Sequence, residues 1–349
     1  MKRGINLFVL IKGIGLLLFT LFLFSLFSLK MPKGQKAMSG LANAAVATFL
    51  VEAIHKYISG NLLNIKFLGE VGASSGSMGG VVAVILVSIN MGLNPIYAVT
   101  AGAAVFGYGI LPGFVAGYII AFIGPILEKK LPKGLDIIVG AILIAPLARG
   151  IALVVDPIVN STLLSIGSMI TVAANQSPFI MGFLLGGIMK MICTSPLSAM
   201  ALTAMLGLQG LAMGIASIAC VGGAFSDGIV FKRLKLGDKS NIIGVMLEPL
   251  TQADIVTSNA PPIFFSNFIG GALAGLSAAY FKIINNAPGT AAPIPGLLAP
   301  FGFNEPKSVI FAILFAICGG IIGGLFGSTI VLNIRKKRNK KVEKEDVVA

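Results

Sequence analysis

Acidic side chains are scarce in this chain, with 13 Asp and Glu among 349 residues and charged residues of all kinds at 11%. Soluble domains carry roughly a quarter of their residues as charged side chains. Here 56% of residues are apolar and the mean hydropathy is +0.95, which excludes a soluble globular class. Histidine is scarcer still: His55, in VEAIHKYI, is the only one, and packing at a membrane edge is its expected role. Cysteine is limited to Cys193, Cys220 and Cys318. An odd number, far apart and set in apolar sequence, fits neither a disulfide framework nor a zinc site, so no metal and no cofactor is expected. Long polar connections are missing too, so no soluble domain is expected beside the apolar spans.

What the chain has in abundance is apolar sequence. Spans lie near 5–29, 37–58, 71–91, 95–127, 135–156, 162–174, 178–193, 196–225, 241–256, 262–284 and 308–333. A bilayer core of about 30 Å needs about 20 residues of helix, and some of these stretches exceed one crossing while others fall short. The expected fold is an all-α polytopic membrane protein with about nine to eleven transmembrane helices plus re-entrant or broken segments. The first stretch is apolar apart from Lys12 and lacks a small-residue cleavage site before Lys30, so it reads as a retained helix rather than a signal peptide.

The 44 glycines include the runs GASSGSMGG (72–80), GAAVFGYGILPGFVAGY (102–118) and GGIIGGLFG (319–327). Small residues at three- and four-residue spacing let helices approach closely in lipid. A nucleotide-cradling loop would need a strand before it and a helix after it, and none is expected. The net charge of +13 collects at span ends: Lys2 and Arg3, Glu128-Lys129-Lys130 with Lys133, Lys232-Arg233-Lys235, and 335–344. The positive-inside rule puts such clusters in the cytoplasm. The tail RKKRNKKVEKED has no interleaved aromatic residue, so no nucleic-acid partner is expected.

Polar side chains concentrate in the second half, each beside a helix breaker or glycine: Asn175-Gln176-Ser177-Pro178, Thr194-Ser195-Pro196, Ser226-Asp227-Gly228 and 248–259. Within 244–263, GVMLEPLTQADIVTSNAPPI, Glu248 and Asp254 sit among apolar residues, and prolines at 249, 261 and 262 rule out one unbroken helix. A carboxylate at the centre of the hydrocarbon layer costs roughly 2.5–3.5 kcal/mol even on a lenient scale. It therefore marks a partner or a polar cavity, and broken helices are where transporters build such cavities. Amide, hydroxyl and carboxylate groups without basic partners suit a neutral polyhydroxylated ligand better than an anion. The substrate-binding candidates are Glu248, Gln252, Asp254, Asn259, Asn175, Gln176 and Thr194. Arg149 is the one arginine in an apolar run, with Asp156 one candidate partner and two separate roles the alternative. The expected division is a scaffold bundle over 1–156, a substrate-binding bundle with broken helices over 157–333 and a basic cytoplasmic tail over 334–349.

Several of these segments resemble the membrane subunit EIIC of the sugar phosphotransferase system. The stretch 109–133, GILPGFVAGYIIAFIGPILEKKLPK, is similar to a run those subunits carry, with the following helix ending here in Ala145-Pro146-Leu147. The stretch 244–249 resembles their G-[IVL]-x-E-P signature, whose glutamate contacts the sugar hydroxyl that receives phosphate. The stretch 292–303, APIPGLLAPFGF, resembles the Pro/Gly-rich loop before their last helices. The similarity covers nearly the whole chain, and it is narrower with the EIIC-like, or perfringolysin O regulator-like, branch.

The resemblance implies a permease that binds a carbohydrate, carries it across by moving one bundle against the other, and presents it to a cytoplasmic EIIB phosphoprotein. Glu248 would then accept a hydrogen bond from the hydroxyl that is phosphorylated and serve as its general base. Asp254, six residues on, either caps a helix or binds sugar. A homodimer in the cell membrane is implied as well. Two departures stand out: relatives place a histidine near the glutamate, and Met246 and Leu247 precede Glu248 where a threonine commonly stands. With no histidine or cysteine in a phosphocarrier context, the chain would hold no phosphate itself. Basic connections at 129–133 and 232–239 would steer the acidic partner. The alternatives are an ion-coupled secondary transporter using Glu248 or Asp254, and a transporter-derived sensor signalling through 335–344.

Overall fold

A computed structural model describes residues 7–132, 134–195 and 197–348, with side chains to 337. Lys2, Arg3, Lys133, Pro196 and the side chains of the tail beyond 337 lie outside the described residues. The described chain is helical, with no strand. In order, the helices are α1 (Leu7–Lys30), α2 (Gly34–Ala45), α3 (Lys66–Ser77), α4 (Gly79–Asn90), α5 (Pro95–Ala104), α6 (Ile110–Lys130), α7 (Asp136–Gln176) and α8 (Pro178–Thr194). They continue with α9 (Ala199–Met205), α10 (Gly210–Leu234), α11 (Lys239–Leu247), α12 (Ala253–Ser258), α13 (Ala260–Tyr280), α14 (Pro293–Leu298) and α15 (Pro306–Val348). Between α2 and α3 the backbone widens into two π-helical stretches, Val46–Leu50 and Ala53–Leu62.

Seven helical runs are long and apolar enough to cross a membrane, or eight if α3 and α4, bent by 56° at Met78, form one span. The protein is thus an all-α polytopic membrane protein, with seven or eight candidate spans among the described residues where the apolar stretches suggest nine to eleven. One reason is that 135–156 and 162–174 belong to a single 41-residue helix, α7, which runs through Pro146 and Pro157. At 1.5 Å per residue α7 is about 61 Å long, twice the bilayer core. Another is that α8 has only 17 residues and is followed by the short α9 rather than by a second span.

Two bundles flank α7. Ile144, Ala148 and Ala152 in its first half pack with Tyr97, Ala101, Ala116 and Ile120 of α5 and α6. Ile170, Ala173 and Ala174 in its second half pack with α1, α8 and α10, including Leu17, Met181, Leu185 and Ala212. Arg149 does not pair with Asp156. Its guanidinium donates to the Ala104 carbonyl at 2.7 Å and lies over the Tyr108 ring at 5.3 Å, while Asp156 accepts from Asn160. The arginine therefore satisfies a carbonyl left free at the end of α5.

The second bundle is held by glycine-lined crossings. Gly182 and Gly186 of α8 meet Gly275 and Gly271 of α13, Gly222 of α10 meets Gly320 of α15, and Gly270 of α13 meets Gly323 of α15. These pairings make α8, α10 and α15 run one way and α13 the other. A methyl group at 271 would stand 2.6 Å from the Gly186 carbonyl oxygen and closer still to the Lys190 side chain. Neither the backbone nor a walled-in lysine stem has room to yield. Gly150 of α7, by contrast, has nothing within 4 Å of where its Cβ would stand. Gly271→Ala is accordingly expected to destabilise the protein by about 1–3 kcal/mol, and Gly150→Ala to leave it unchanged or slightly more stable. Thermal unfolding of the two variants in detergent compares them directly.

Candidate functional site

The second bundle carries its polar side chains at one level. Lys190 of α8 and Asp227 of α10 are both 0% exposed, and the ammonium donates to Asp227 Oδ2 at 2.5 Å. Asn267 of α13 is also fully buried; its Nδ2 donates to Asp227 Oδ1 at 2.6 Å and to Thr194 Oγ1 at 3.1 Å. Thr194, one turn beyond Lys190, bonds back to the Lys190 carbonyl. Two carboxylate oxygens, one ammonium, one amide and one hydroxyl thus tie three helices together. The lysine stem fits because Gly223 of α10 and Gly271 of α13 leave the space a side chain would fill. Asn267 Oδ1 is buried with no partner.

Glu248 is brought to this level by local sequence. Lys235 and Gly237 take positive φ after α10, and Asp238 opens α11 with a capping box: it accepts from the Asn241 N–H at 3.0 Å, and Asn241 accepts from the Asp238 N–H at 2.9 Å. This reversal sends α11 back along α10, so that Met246 lies against Gly228. Pro249 then ends α11 and starts the 3₁₀ turn Pro249–Gln252, which packs on α8. Glu248 stands at the junction, half-buried, with its carboxylate 3.5 Å from the Leu250 N–H. At that length the contact is weak. The residue lies outside the seven spans. Burial pushes its carboxyl above the ordinary carboxylate range, and the Leu250 N–H and the Lys190 charge pull it back.

The other candidates separate into two groups. Thr194 belongs to the Lys190 cluster, and Gln252 closes the hairpin by accepting from Asn241 Nδ2 at 2.7 Å. Asn259 turns its amide onto the Ile255 carbonyl, and Asp254 is exposed in the first turn of α12, where the helix dipole favours a carboxylate. Asn175 and Gln176 are exposed at the end of α7, just before α8 begins. Thr194 ends that helix, about 24 Å from its start at Pro178.

Lys190 and Asn267 were not among the sequence candidates, and Asp227 appeared there only within a polar stretch. A signal was present. Lys190 is the only charge in the apolar α8, and Asp227 is the only acid in the 25 residues of α10. Opposite charges isolated in two apolar helices point to each other.

The Pro/Gly-rich stretch 292–303 forms α14 and the 3₁₀ turn Ala299–Gly302 rather than a span. Gly296 sits against the Ser217 carbonyl of α10, and Phe303 packs on Tyr57 of the π-helical stretch with ring centroids 5.2 Å apart. The α11–α12 hairpin and this second short hairpin touch through α11 and α14. Interrupted helical segments of this kind expose backbone groups to a ligand where they line a cavity.

The family described as "Phosphotransferase system, EIIC" matches residues 35–347, which include both hairpins and the whole charge cluster. The chain belongs to the phosphotransferase-system EIIC family. It matches no curated protein and no solved structure. As an EIIC subunit it is a multi-pass membrane component of a phosphotransferase-system sugar permease.

For this EIIC subunit the buried pair gives a stability test. Removing one member leaves an uncompensated charge in the interior, at a typical cost of about 3–5 kcal/mol, whereas replacing both with apolar groups is often neutral. Lys190→Met and Asp227→Leu should each unfold at markedly lower temperature than the parent. The double variant should recover most of the loss, as read by thermal unfolding.

Proposed function

We propose that this EIIC subunit translocates a carbohydrate that contacts Glu248, and that a separate EIIB phosphoprotein then phosphorylates it. The observation that carries the reading is that, among the described residues, the Glu248 carboxylate has no ion-pair partner and its one hydrogen bond is the long contact to Leu250, on a segment that packs on α8 and α10. A carboxylate so placed is free to accept a sugar hydroxyl. In the transfer, the hydroxyl oxygen forms a bond to phosphorus as the carrier's bond to phosphorus breaks, and Glu248 takes the hydroxyl proton. The phosphate ester leaves because a dianion no longer fits a site built for neutral hydroxyls, and Glu248 passes its proton on to water to regain its charge. Thr194 and Gln252 are the nearer secondary contacts in this reading; Asp254, Asn259, Asn175 and Gln176 are more remote.

Lys190 is a basic group the sequence reading did not anticipate, yet its charge is matched by Asp227. The preference for a neutral ligand therefore stands. The division into a scaffold bundle (1–156), a substrate-binding bundle (157–333) and a basic tail (334–349) is supported by the different partners of the two halves of α7, although Leu10 and Leu17 of α1 pack with the second bundle and Met200, Met205 and Ala292 with the first.

Orientation follows from charge. Lys33 donates to the Met91 carbonyl at 2.6 Å and Tyr118 to the Pro32 carbonyl, which puts the α1–α2 and α4–α5 turns on one face. In the second bundle, Arg233 bonds Leu325, Ser328 and Thr329 of α15, so the basic ends of α10 and α15 share a face. We assign these faces, with the C-terminal tail, to the cytoplasm, where 129–133 and 232–239 form the landing zone for EIIB. The assembly is a homodimer in this reading.

A thermal-shift screen of the purified protein against neutral sugars, amino sugars and sugar acids, repeated on Glu248→Gln, tests the proposal. A stabilising sugar whose effect is lost in the variant supports it. Uptake of that sugar should fall at least a hundredfold in Glu248→Gln with assembly intact. Normal uptake by the variant removes the central role of Glu248, and uptake that follows an ion gradient favours a secondary transporter.

A further inference from the structure

We propose that Lys190 is a positioning residue for Glu248: clamped by Asp227 in its glycine slot, it supplies the fixed cation that keeps the Glu248 carboxylate ionised and ready to accept a hydroxyl. The inference rests on Glu248 as the sugar-binding carboxylate.

The geometry runs through two contacts. Met246, two residues before Glu248, lies on Gly228, the neighbour of Asp227. The turn Pro249–Gln252, which begins one residue after Glu248, packs on α8, the helix of Lys190. The glutamate is therefore bracketed by the two helices that carry the buried ion pair. An ammonium has three N–H donors, and Asp227 takes one of those of Lys190 at 2.5 Å. Asp227 cannot follow the lysine, because Asn267 holds its other oxygen at 2.6 Å. The lysine stem is fixed by the absence of side chains at Gly223 and Gly271. A cation held this rigidly needs no reorganisation when the carboxylate beside it carries charge.

The charged and titratable groups around Glu248 are few. On α8 they are Lys190 and the Cys193 thiol, and on α10 Asp227 and the buried Cys220 thiol, with Lys232 exposed and Arg233 turned onto α15 in its last turn. On α11 they are Asp238 and Lys239 at its far end, and on α12 the exposed Asp254. The 3₁₀ turn PLTQ and α14, PIPGLL, carry none. Lys190 is thus the cation available to offset the burial that disfavours the ionised glutamate, and it is among the influences that draw that carboxyl downward.

The test is a pH titration of the Glu248 carboxyl by infrared spectroscopy in lipid, its band assigned by loss in Glu248→Gln. No sugar is involved, so a failure of the transport reading would leave this outcome unaltered. In Lys190→Met/Asp227→Leu, which removes both charges and keeps the interior neutral, the Glu248 titration should move up by about one pH unit or more. In Asp227→Asn the lysine has lost its counter-charge: the Glu248 titration should move down where the lysine keeps its proton and up where the buried lysine releases it, and the ammonium band in the same spectra says which. A purely structural role for the pair would not tie the direction of the Glu248 shift to the charge on the lysine. Titration at the parent pH in the double variant, or a downward shift in Asp227→Asn with the lysine neutral, overturns the proposal.

Discussion

The fold's second half is organised around one interaction, the ion pair between Lys190 and Asp227 in a slot that glycine leaves open. Two charges taken out of water carry several kcal/mol of desolvation each, which their attraction offsets only with good geometry and further hydrogen bonds. Asn267 supplies one to Asp227, and Thr194 in turn accepts from Asn267 and so holds that amide in place. Gly223 and Gly271 must stay bare for the lysine stem to reach, so the crossings of α8, α10 and α13 are tied to the pair. Close glycine packing in lipid and a buried charge pair are usually separate devices; here the charge pair depends on the glycine packing.

That rigid core gives the Glu248 hairpin something to lean on. The capping box at Asp238, the positive φ at Lys235 and Gly237, and Pro249 are local features that fold the chain back. The destination of that fold is set by the small residue Gly228 on α10. An interrupted segment laid against a closely packed bundle is the arrangement the proposed permease reading uses. The long α7 joins this bundle to the scaffold and packs on both, so a movement of one bundle against the other would have to be carried by it.

Much of the class was legible in the sequence, because apolar run lengths and charge scarcity depend only on the bilayer. The broken segment around Glu248 was legible too, since proline acts locally. Three things were not. The run boundary near 156 suggested separate helices, yet α7 continues through Pro157, because a proline inside a helix removes one backbone bond without necessarily ending it. The separation of Asn175 and Gln176 from Thr194 by the length of α8 was not legible either; proximity to a breaker says nothing of which end of a helix a residue shares with another. The partners of Arg149 and Lys190 are 45 and 37 positions away in sequence, a distance that single-chain patterns do not encode.

The central claim is that this EIIC subunit moves a sugar past Glu248 and releases it as a phosphate ester. The most direct measurement loads membrane vesicles carrying the protein with phosphoenolpyruvate and the soluble phosphocarriers, supplies the labelled sugar that the thermal screen selects, and identifies the chemical form recovered from the lumen. The account predicts the phosphorylated sugar, with little free sugar inside and no dependence on sodium or proton gradients. Accumulation of the free sugar, driven by an ion gradient, would contradict it.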